Sequence, residues 1–172
     1  GYWNPANLSN TKNDIQIGLM HAEYFAGIAK YDFGSIVKKI DDKSSFGFSF
    51  LRFGVDNIPN TTDLIDAQGN LNYDRITYFS AADMAFIGSY GKKISDYLSI
   101  GGSVKIINRT AGDFAQAWGF GLDLSTTYQK NNWGFAIVAR DVTSTFNVWN
   151  YQLTDEMINV FNTTGNELPQ NG

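Results

Sequence analysis

The stretch GLDLSTTYQKNNWGFAIVAR, residues 121–140, alternates large apolar residues with small or polar ones. One side of the alternation carries the large residues Leu122, Leu124, Tyr128, Trp133, Phe135 and Ile137. The other side carries Gly121, Asp123, Ser125, Thr127 and Gly134. A period of two is the β-strand signal, and the polar segment QKNN at 129–132 favours a hairpin turn between two strands. What each side of these strands faces therefore decides the fold.

The same period recurs through most of the chain and predicts about seven strands. The first predicted strand sets Ile15, Ile17 and Leu19 against Asp14, Gln16 and Gly18. The second sets Ala29, Tyr31, Phe33 and Val37 against Lys30, Asp32, Gly34 and Lys38. The third carries Phe46, Phe48 and Phe50 on one side, and its phase changes near Arg52, where we expect a β-bulge. Further strands are predicted at about 76–90, 97–108, 116–129 and 133–145.

The predicted connections are short at one end of the strands and long at the other. The short ones, DDKSS at 41–45, GKKISD at 91–96 and QKNN at 129–132, are polar and suit hairpins. The long ones cover 56–74, 109–115 and everything after about 146. This asymmetry is typical of outer-membrane β-barrels, which have tight periplasmic turns and long external loops.

Aromatic residues cluster near the predicted strand ends. One row near the short turns comprises Phe33, Phe46, Tyr90, Tyr97, Tyr128 and Trp133, and an opposite row comprises Phe53, Tyr78 and Trp118. Tyr and Trp combine an apolar body with a polar tip, so they favour the interfaces of a membrane. The two rows predict the aromatic girdles of a transmembrane barrel.

Composition excludes several classes of function. The chain has 172 residues, 43% of them hydrophobic, which is enough for a folded core and argues against disorder. A net charge of −4 argues against nucleic-acid binding, and the absence of cysteine excludes disulfides and thiol chemistry. His21 is the only histidine and no GxSxG motif accompanies it. We therefore expect neither enzymatic activity nor a cofactor or metal.

These patterns indicate that the large side chains face lipid and that the small or charged ones face a lumen. Lipid cannot satisfy free backbone N–H and C=O groups, so membrane strands must close into a barrel. Seven strands alone would leave two bare edges, so we expect this chain to be part of a larger barrel. A soluble β-sandwich or small-ligand binder is the alternative, and it would bury the large side chains against a second layer.

The segment YWNPANL at 2–8 resembles the NPA motif near the start of FadL-type outer-membrane transporters, and it is more similar to the WNPA beginning of the PorV/PorQ family. HAEYFAGIAKYDF at 21–33 looks like that family's first hairpin, and YGKKISDYLSIGGSVKII at 90–107 looks like its internal turn. The resemblance implies an all-β, antiparallel up-and-down transmembrane β-barrel of fourteen strands, of which this chain would be the N-terminal half.

The resemblance also implies location in the bacterial outer membrane and one of two roles. The first is an accessory of type IX protein secretion or surface assembly that binds a translocon or the signal domains of secreted cargo. The second is a FadL-like transporter of hydrophobic small molecules. Residues 1–172 would then divide into a hatch or turn segment (1–13), barrel strands (14–148) and an extracellular loop with a short helix (149–172).

Three groups of residues are candidates for functional sites. The hatch or plug candidates are Asn4, Pro5 and Ala6, which favour a compact turn and otherwise form an ordinary turn before the first strand. The candidates for charges facing the lumen, which otherwise serve as structural ion pairs, are Lys30, Asp32, Asp83, Lys105, Asp123 and Arg140.

The third group lies in the predicted external loop. Thr154 can cap a helix DEMINVFN at 155–162 that ends at Gly165. The candidates for docking a protein partner are Trp149, Tyr151, Met157, Val160 and Phe161. An ordinary loop helix folded onto the rim of the barrel is the alternative.

Overall fold

The computed structural model describes residues 1–61, 64, 70–144, 146–164 and 167–170, with only the backbone described at 146, 156, 157, 160, 161 and 164. The strands in these residues are β1 (Ile15–Tyr24), β2 (Ala29–Lys39), β3 (Ser44–Asn60), β4 (Thr77–Lys93), β5 (Leu98–Ala111), β6 (Ala115–Lys130), β7 (Trp133–Ala139) and β8 (Phe146–Tyr151). Two 3-10 helices cover Pro5–Asn10 and Tyr73–Arg75, and one α-helix, α1, covers Asp155–Thr164.

The described strands form one antiparallel sheet in which β1 to β7 follow each other in chain order. The sheet curls into a half-barrel of seven strands, with β8 placed beside β6 in line with β7. The predicted all-β, up-and-down topology is therefore confirmed. All described strands belong to this one sheet, so among them there is no second sheet layer of the kind a β-sandwich requires.

The two faces of the sheet differ in chemistry as the opening stretch predicts. On β6, Phe120 and Leu124 are exposed, whereas Ala117, Asp123 and Ser125 are buried. The buried residues lie on the inner, concave face, against which the N-terminal 3-10 helix packs. Directly paired residues of neighbouring strands point to the same face, so this assignment extends from β6 across the ladder.

The large apolar residues of the outer face are not covered by protein. Leu19 on β1 is 84% exposed and Ile137 on β7 is 70% exposed. Between them, the outer face carries exposed Phe48, Phe86 and Ile106 on β3, β4 and β5. From β4 to β7 the sheet therefore carries its large apolar residues mainly outside and small or polar residues mainly inside, the reverse of a water-soluble core.

The seventh strand is interrupted, which the sequence did not predict. β7 pairs with residues 124–130 of β6 and ends at Ala139, and β8 pairs with residues 115–120 of the same strand. Between them, the Val142 N–H donates to the Leu122 carbonyl at 2.9 Å. The predicted strand at 133–145 is thus too long, and the predicted loop boundary at 149 is wrong because β8 continues to Tyr151.

The three short hairpins are confirmed as turns at 40–43, 94–97 and 131–132. In the first, the Lys43 backbone N–H donates to Asp41 at 2.8 Å and lowers the pKa of that carboxyl. The long connection predicted at 109–115 is wrong, because only residues 112–114 separate β5 from β6. The connection from β3 to β4 marks what we call the long-loop end of the sheet.

The predicted bulge lies further along β3 than expected. Pairing of β3 with β4 is continuous through Arg52, and the register shifts between Val55 and Ile58, beside Asn57 at φ 58°. The phase near Arg52 therefore does not change. Instead, the chemistry of each face changes there, because Arg52 is on the outer face and Phe53 on the inner one.

The aromatic rows are confirmed only in part. Phe46, Tyr90, Tyr128 and Trp133 lie on the outer face near the short turns, and Trp118 lies on the outer face nearer the long-loop end. Phe33 and Phe53 belong to neither row, because both point to the inner face.

Candidate functional site

The NPA segment forms a compact helical turn on the inner face of the sheet. Asn4 caps the 3-10 helix, its Oδ1 accepting from the Ala6 N–H at 3.0 Å. Pro5 occupies the first turn, where it needs no N–H donor and its fixed φ suits a helix start. Ala6 is fully buried against the wall. The three hatch candidates are thus brought together on the concave side.

Hydrogen bonds attach this segment to strands distant in the sequence. The Ala6 N–H donates to Ser125 Oγ at 2.9 Å, and Asn4 Nδ2 donates to Thr127 Oγ1 at 3.1 Å. Ser9 Oγ donates to Ser99 Oγ at 2.8 Å in a buried contact. The short polar side chains of β5 and β6 therefore form a wall that matches the backbone of the segment.

Two glycines that sequence reasoning did not select make this contact possible. Gly91 on β4 and Gly101 on β5 are direct partners across the ladder and face inward. A Cβ at Gly91 would collide with the Pro5 carbonyl and with Leu8, and one at Gly101 would collide with the Ala6 backbone. The sequence signal was the glycines themselves in YGKKISDYLSIGG, because a glycine in or beside a strand often marks a close approach of another backbone. The predicted turn at 91–96 included Gly91, so the sequence did not place it opposite Gly101.

Further from the short turns, Lys105 lies on the inner face between two carboxylates. Its Nζ is 2.8 Å from Asp123 Oδ1 and 2.6 Å from Asp141 Oδ1. The side chains of Lys105 and Asp123 are only 12% and 7% exposed. Asp123 Oδ1 also accepts from the Asp141 backbone N–H at 2.9 Å. This cluster, which we call the Lys105 triad, holds the segment between β7 and β8 against the wall.

Lys105 and Asp123 were predicted to face inward, but Asp141 was missed. Asp141 follows the end of β7 and has φ 50°, a left-handed conformation that strand periodicity does not reveal. The neighbouring candidate, Arg140, does not join the triad. Its guanidinium carbon lies 5.8 Å and 5.2 Å from the ring centres of Tyr2 and Trp3, so it contacts the N-terminal segment by cation–π interactions.

Asp83 also lies on the inner face, nearer the long-loop end. Asp83 and Arg109 are direct ladder partners, and Arg109 Nε is 3.6 Å from Asp83 Oδ2. Both side chains are partly exposed, at 52% for Asp83 and 39% for Arg109. The prediction of an inward Asp83 that pairs with a charge on the neighbouring strand agrees with this placement.

The predicted inward orientation of Lys30 and Asp32 is wrong. Asp32 pairs with Arg52, which pairs with Met84, and this row continues to Trp118 on the outer face. The residue that points inward is Phe33, whose ring centre is 5.9 Å from that of Tyr2 in the N-terminal segment. The error arose because apolar residues were assigned to lipid, whereas here they contact the segment that fills the concave side.

Lys30 and Asp32 belong to a charged group on the outer face of β1 to β3, which we call the side network. Its members are His21, Glu23, Lys30, Asp32, Arg52 and Asp56. Two contacts are short, His21 Nδ1 to Asp32 Oδ1 at 2.6 Å and Arg52 Nη2 to Asp56 Oδ1 at 3.1 Å. The other ion-pair distances are 3.4–3.9 Å, so several charged atoms are held only loosely.

Trp149 and Tyr151, predicted as loop residues that dock a partner, lie instead on β8. They pair with Ala117 and Ala115, so their side chains share the inner face with those alanines. Their rings stack at 5.9 Å between centres and 13° between planes. Their cross-strand neighbours on this face are therefore small residues.

The predicted helix is confirmed as α1, whose first hydrogen bond runs from the Ile158 N–H to the Thr154 carbonyl at 3.0 Å. Gly165 and the side chains of Met157, Val160 and Phe161 lie outside the described residues. The predicted docking face of the helix therefore stays a prediction.

Among the residues that the structure describes, no group of three or more His, Asp or Glu side chains could hold a metal ion. None of the helices in the described part of the chain is long and apolar enough to cross a membrane. No protein-family model matches the chain, and no curated protein gives a significant match.

Proposed function

We propose that the chain forms part of an outer-membrane β-barrel of the PorV/PorQ kind, a non-enzymatic accessory of type IX protein secretion or surface assembly. The membrane assignment depends on one observation, the exposed large apolar side chains along the outer face of β4 to β7. Leaving a large apolar side chain fully exposed to water forgoes about 1.5–3 kcal/mol of burial energy, and a partly exposed one forgoes a share of this, whereas lipid removes the cost. The free edges at β1 and β7 would pair with further strands to complete the barrel.

The inner face supports the accessory role. The N-terminal segment occupies the concave side near the short turns, and the Lys105 triad lies above it. An inner face made of serine, glycine and an ion cluster favours a filled, rigid interior over a path for hydrophobic solutes. The WNPA resemblance points the same way. Protein partners would bind at the long-loop end, which carries α1.

A FadL-like transporter of hydrophobic molecules is the second candidate, and one observation favours it. Between the Lys105 triad and the Asp83–Arg109 pair, one ladder row of the inner face is small or apolar, and it comprises Leu51, Ala85, Ile107 and Gly119. The interruption between β7 and β8 lies beside this row. An apolar solute could enter such a region.

Co-purification from native membranes in mild detergent tests the two candidates. We expect secretion or surface-assembly components to travel with the protein and to be lost when Met157, Val160 and Phe161 of α1 are all changed to Ser. The matched control changes the exposed polar residues Asn159, Asn162 and Thr163 of the same helix to Ser and should retain the partners. Recovery of no such component, together with saturable binding of a fatty acid, would replace the accessory role by transport.

A further inference from the structure

The apolar part of the outer face is much shorter on β2 than on β4. On β2 the outward residues run from Lys38 through Ile36 and Gly34 to Asp32, so the two charges are six residues apart. At ~3.3 Å per residue and a strand tilt of ~40°, this gives roughly 15 Å of height between charges. Outer-membrane barrels carry an apolar band about 25 Å tall. The apolar part of β2 is therefore too short to span that band.

On β4 the same measurement gives a band of full height. The outward residues from Lys92 to Ser80 are Lys92, Tyr90, Gly88, Phe86, Met84, Ala82 and Ser80. The polar ends are twelve residues apart, which corresponds to roughly 30 Å of height by the same conversion. Because each strand is measured along itself, tilting the whole barrel does not remove the difference between the two.

The side network is what shortens the band. Asp32 and Arg52 lie in the same ladder row as Met84, where β4 is still apolar. An Arg or Lys on the lipid face near mid-membrane costs about 2–4 kcal/mol. Acyl chains are therefore a poor neighbour for this surface, and the loosely paired charges leave hydrogen-bonding capacity for something polar.

We propose that the side network is a lateral docking surface for a second protein in the plane of the membrane, one whose contacting surface is polar with an excess of basic groups. The network carries three carboxylates, Glu23, Asp32 and Asp56, against Lys30 and Arg52, with His21 between two of the acids. Charge complementarity therefore favours a basic partner. The inference depends on the proposed membrane placement, and it adds a contact on the flank of the barrel to the one expected at the long-loop end.

Single-cysteine labelling tests the proposal, because the chain contains no cysteine of its own. His21→Cys reports on the side network, and Ile17→Cys reports on the apolar band four residues away on the same strand and face. A membrane-impermeant maleimide is applied to native membranes and to the purified protein in phospholipid vesicles. We expect His21→Cys to react readily in vesicles and about tenfold more slowly in native membranes, as for a partner present at about ten times its dissociation constant. Ile17→Cys should be unreactive in both.

A charge reversal tests the chemistry of the partner. Adding Glu23→Lys to His21→Cys should restore fast labelling in native membranes, because a basic partner is then repelled. The control adds Glu167→Lys, the same change of charge at an exposed position near the C-terminus, and should leave the protection intact.

The remaining outcomes separate the possible failures. Equally fast labelling of His21→Cys in both preparations would mean that water in a thinned bilayer covers the network, and equally slow labelling would mean that acyl chains cover it. Either result overturns the docking surface and leaves the barrel in place. Fast labelling of Ile17→Cys in vesicles would overturn the membrane placement itself.

Discussion

The β4–β7 region and the long-loop halves of β1–β3 belong to one sheet but have opposite polarity. On β5, Ile106 points outward and Lys105 points into the buried triad. On β2, Asp32 points outward and Phe33 points inward to Tyr2. The difference shows that alternation determines which residues share a face. Whether that face carries apolar or charged side chains depends on what contacts it at each strand.

The inner neighbours differ as much as the outer ones. The N-terminal 3-10 helix contacts β3 to β6 and needs glycine and serine there. Tyr2, before that helix, approaches β2 at Phe33 and therefore meets an aromatic wall. Contacts with one short N-terminal segment thus explain both the glycine- and serine-rich inner face of β3 to β6 and the aromatic inner face of β2.

The largest effect is expected from Lys105→Met. The change would leave the buried Asp123, and the partly exposed Asp141 beside it, without their cation. Breaking the buried Lys105–Asp123 pair in this way costs about 3–5 kcal/mol. The free energy of unfolding in urea, measured in vesicles, tests this. Arg109→Met is the control, because its ion pair with Asp83 is longer and more exposed and should be worth less than about 1 kcal/mol. Equal losses for both variants would show that the triad is not buried as described.

A charge placed in the apolar band should have the next largest effect. Ile106→Lys puts an ammonium on the outer face of β5 and should cost about 2–4 kcal/mol in a bilayer. Thr110→Lys, on the same strand and face but nearer the long-loop end, should cost about 0–1 kcal/mol. Unfolding free energies in vesicles measure both. A tolerated Ile106→Lys would remove the contrast between β5 and β2.

Gly91→Val tests the contact between the N-terminal segment and the inner face of β4. A side chain there would overlap the Pro5 carbonyl and Leu8, and overpacking of this kind costs about 1–3 kcal/mol. We expect residues 1–10 to leave the wall and to become sensitive to added protease. Gly88→Val, on the same strand but outward, meets only the Phe46 ring at 3.9 Å and should leave the segment protected. Protection of the segment in both variants would contradict the described seat.

The sequence predicted the sheet well because both of its signals are local. Alternation gave the strands, and the polar turns gave three hairpins at nearly their observed positions. It failed where a distant contact decides the outcome. Nothing near Tyr31 or Phe33 indicates that the first residues of the chain fold back onto β2, so their aromatic rings were assigned to lipid.

Loop geometry set a second limit. The interruption after Ala139 depends on a left-handed Asp141 and on a lysine in β5, residues far apart in the sequence. Strand periodicity continues through 140–145, so the pattern alone extended the strand and placed Trp149 in a loop. In the same way, the sequence pattern assigned Lys105 and Asp123 to the inner face, but it could not identify Asp141, which contacts both of them.

The smallest effect on stability is expected from Arg52→Leu in the side network. Asp56 would keep Lys30 at 3.4 Å and Asp32 would keep His21 at 2.6 Å, and ion pairs this exposed contribute about 0–1 kcal/mol. The added leucine would also extend the apolar outer face of β3 beyond Phe50. The unfolding free energy of the purified protein in vesicles should therefore change little, in contrast to Lys105→Met. A loss as large as that of Lys105→Met would mean that the network holds the barrel wall together, and its charges would then need no second protein to account for them.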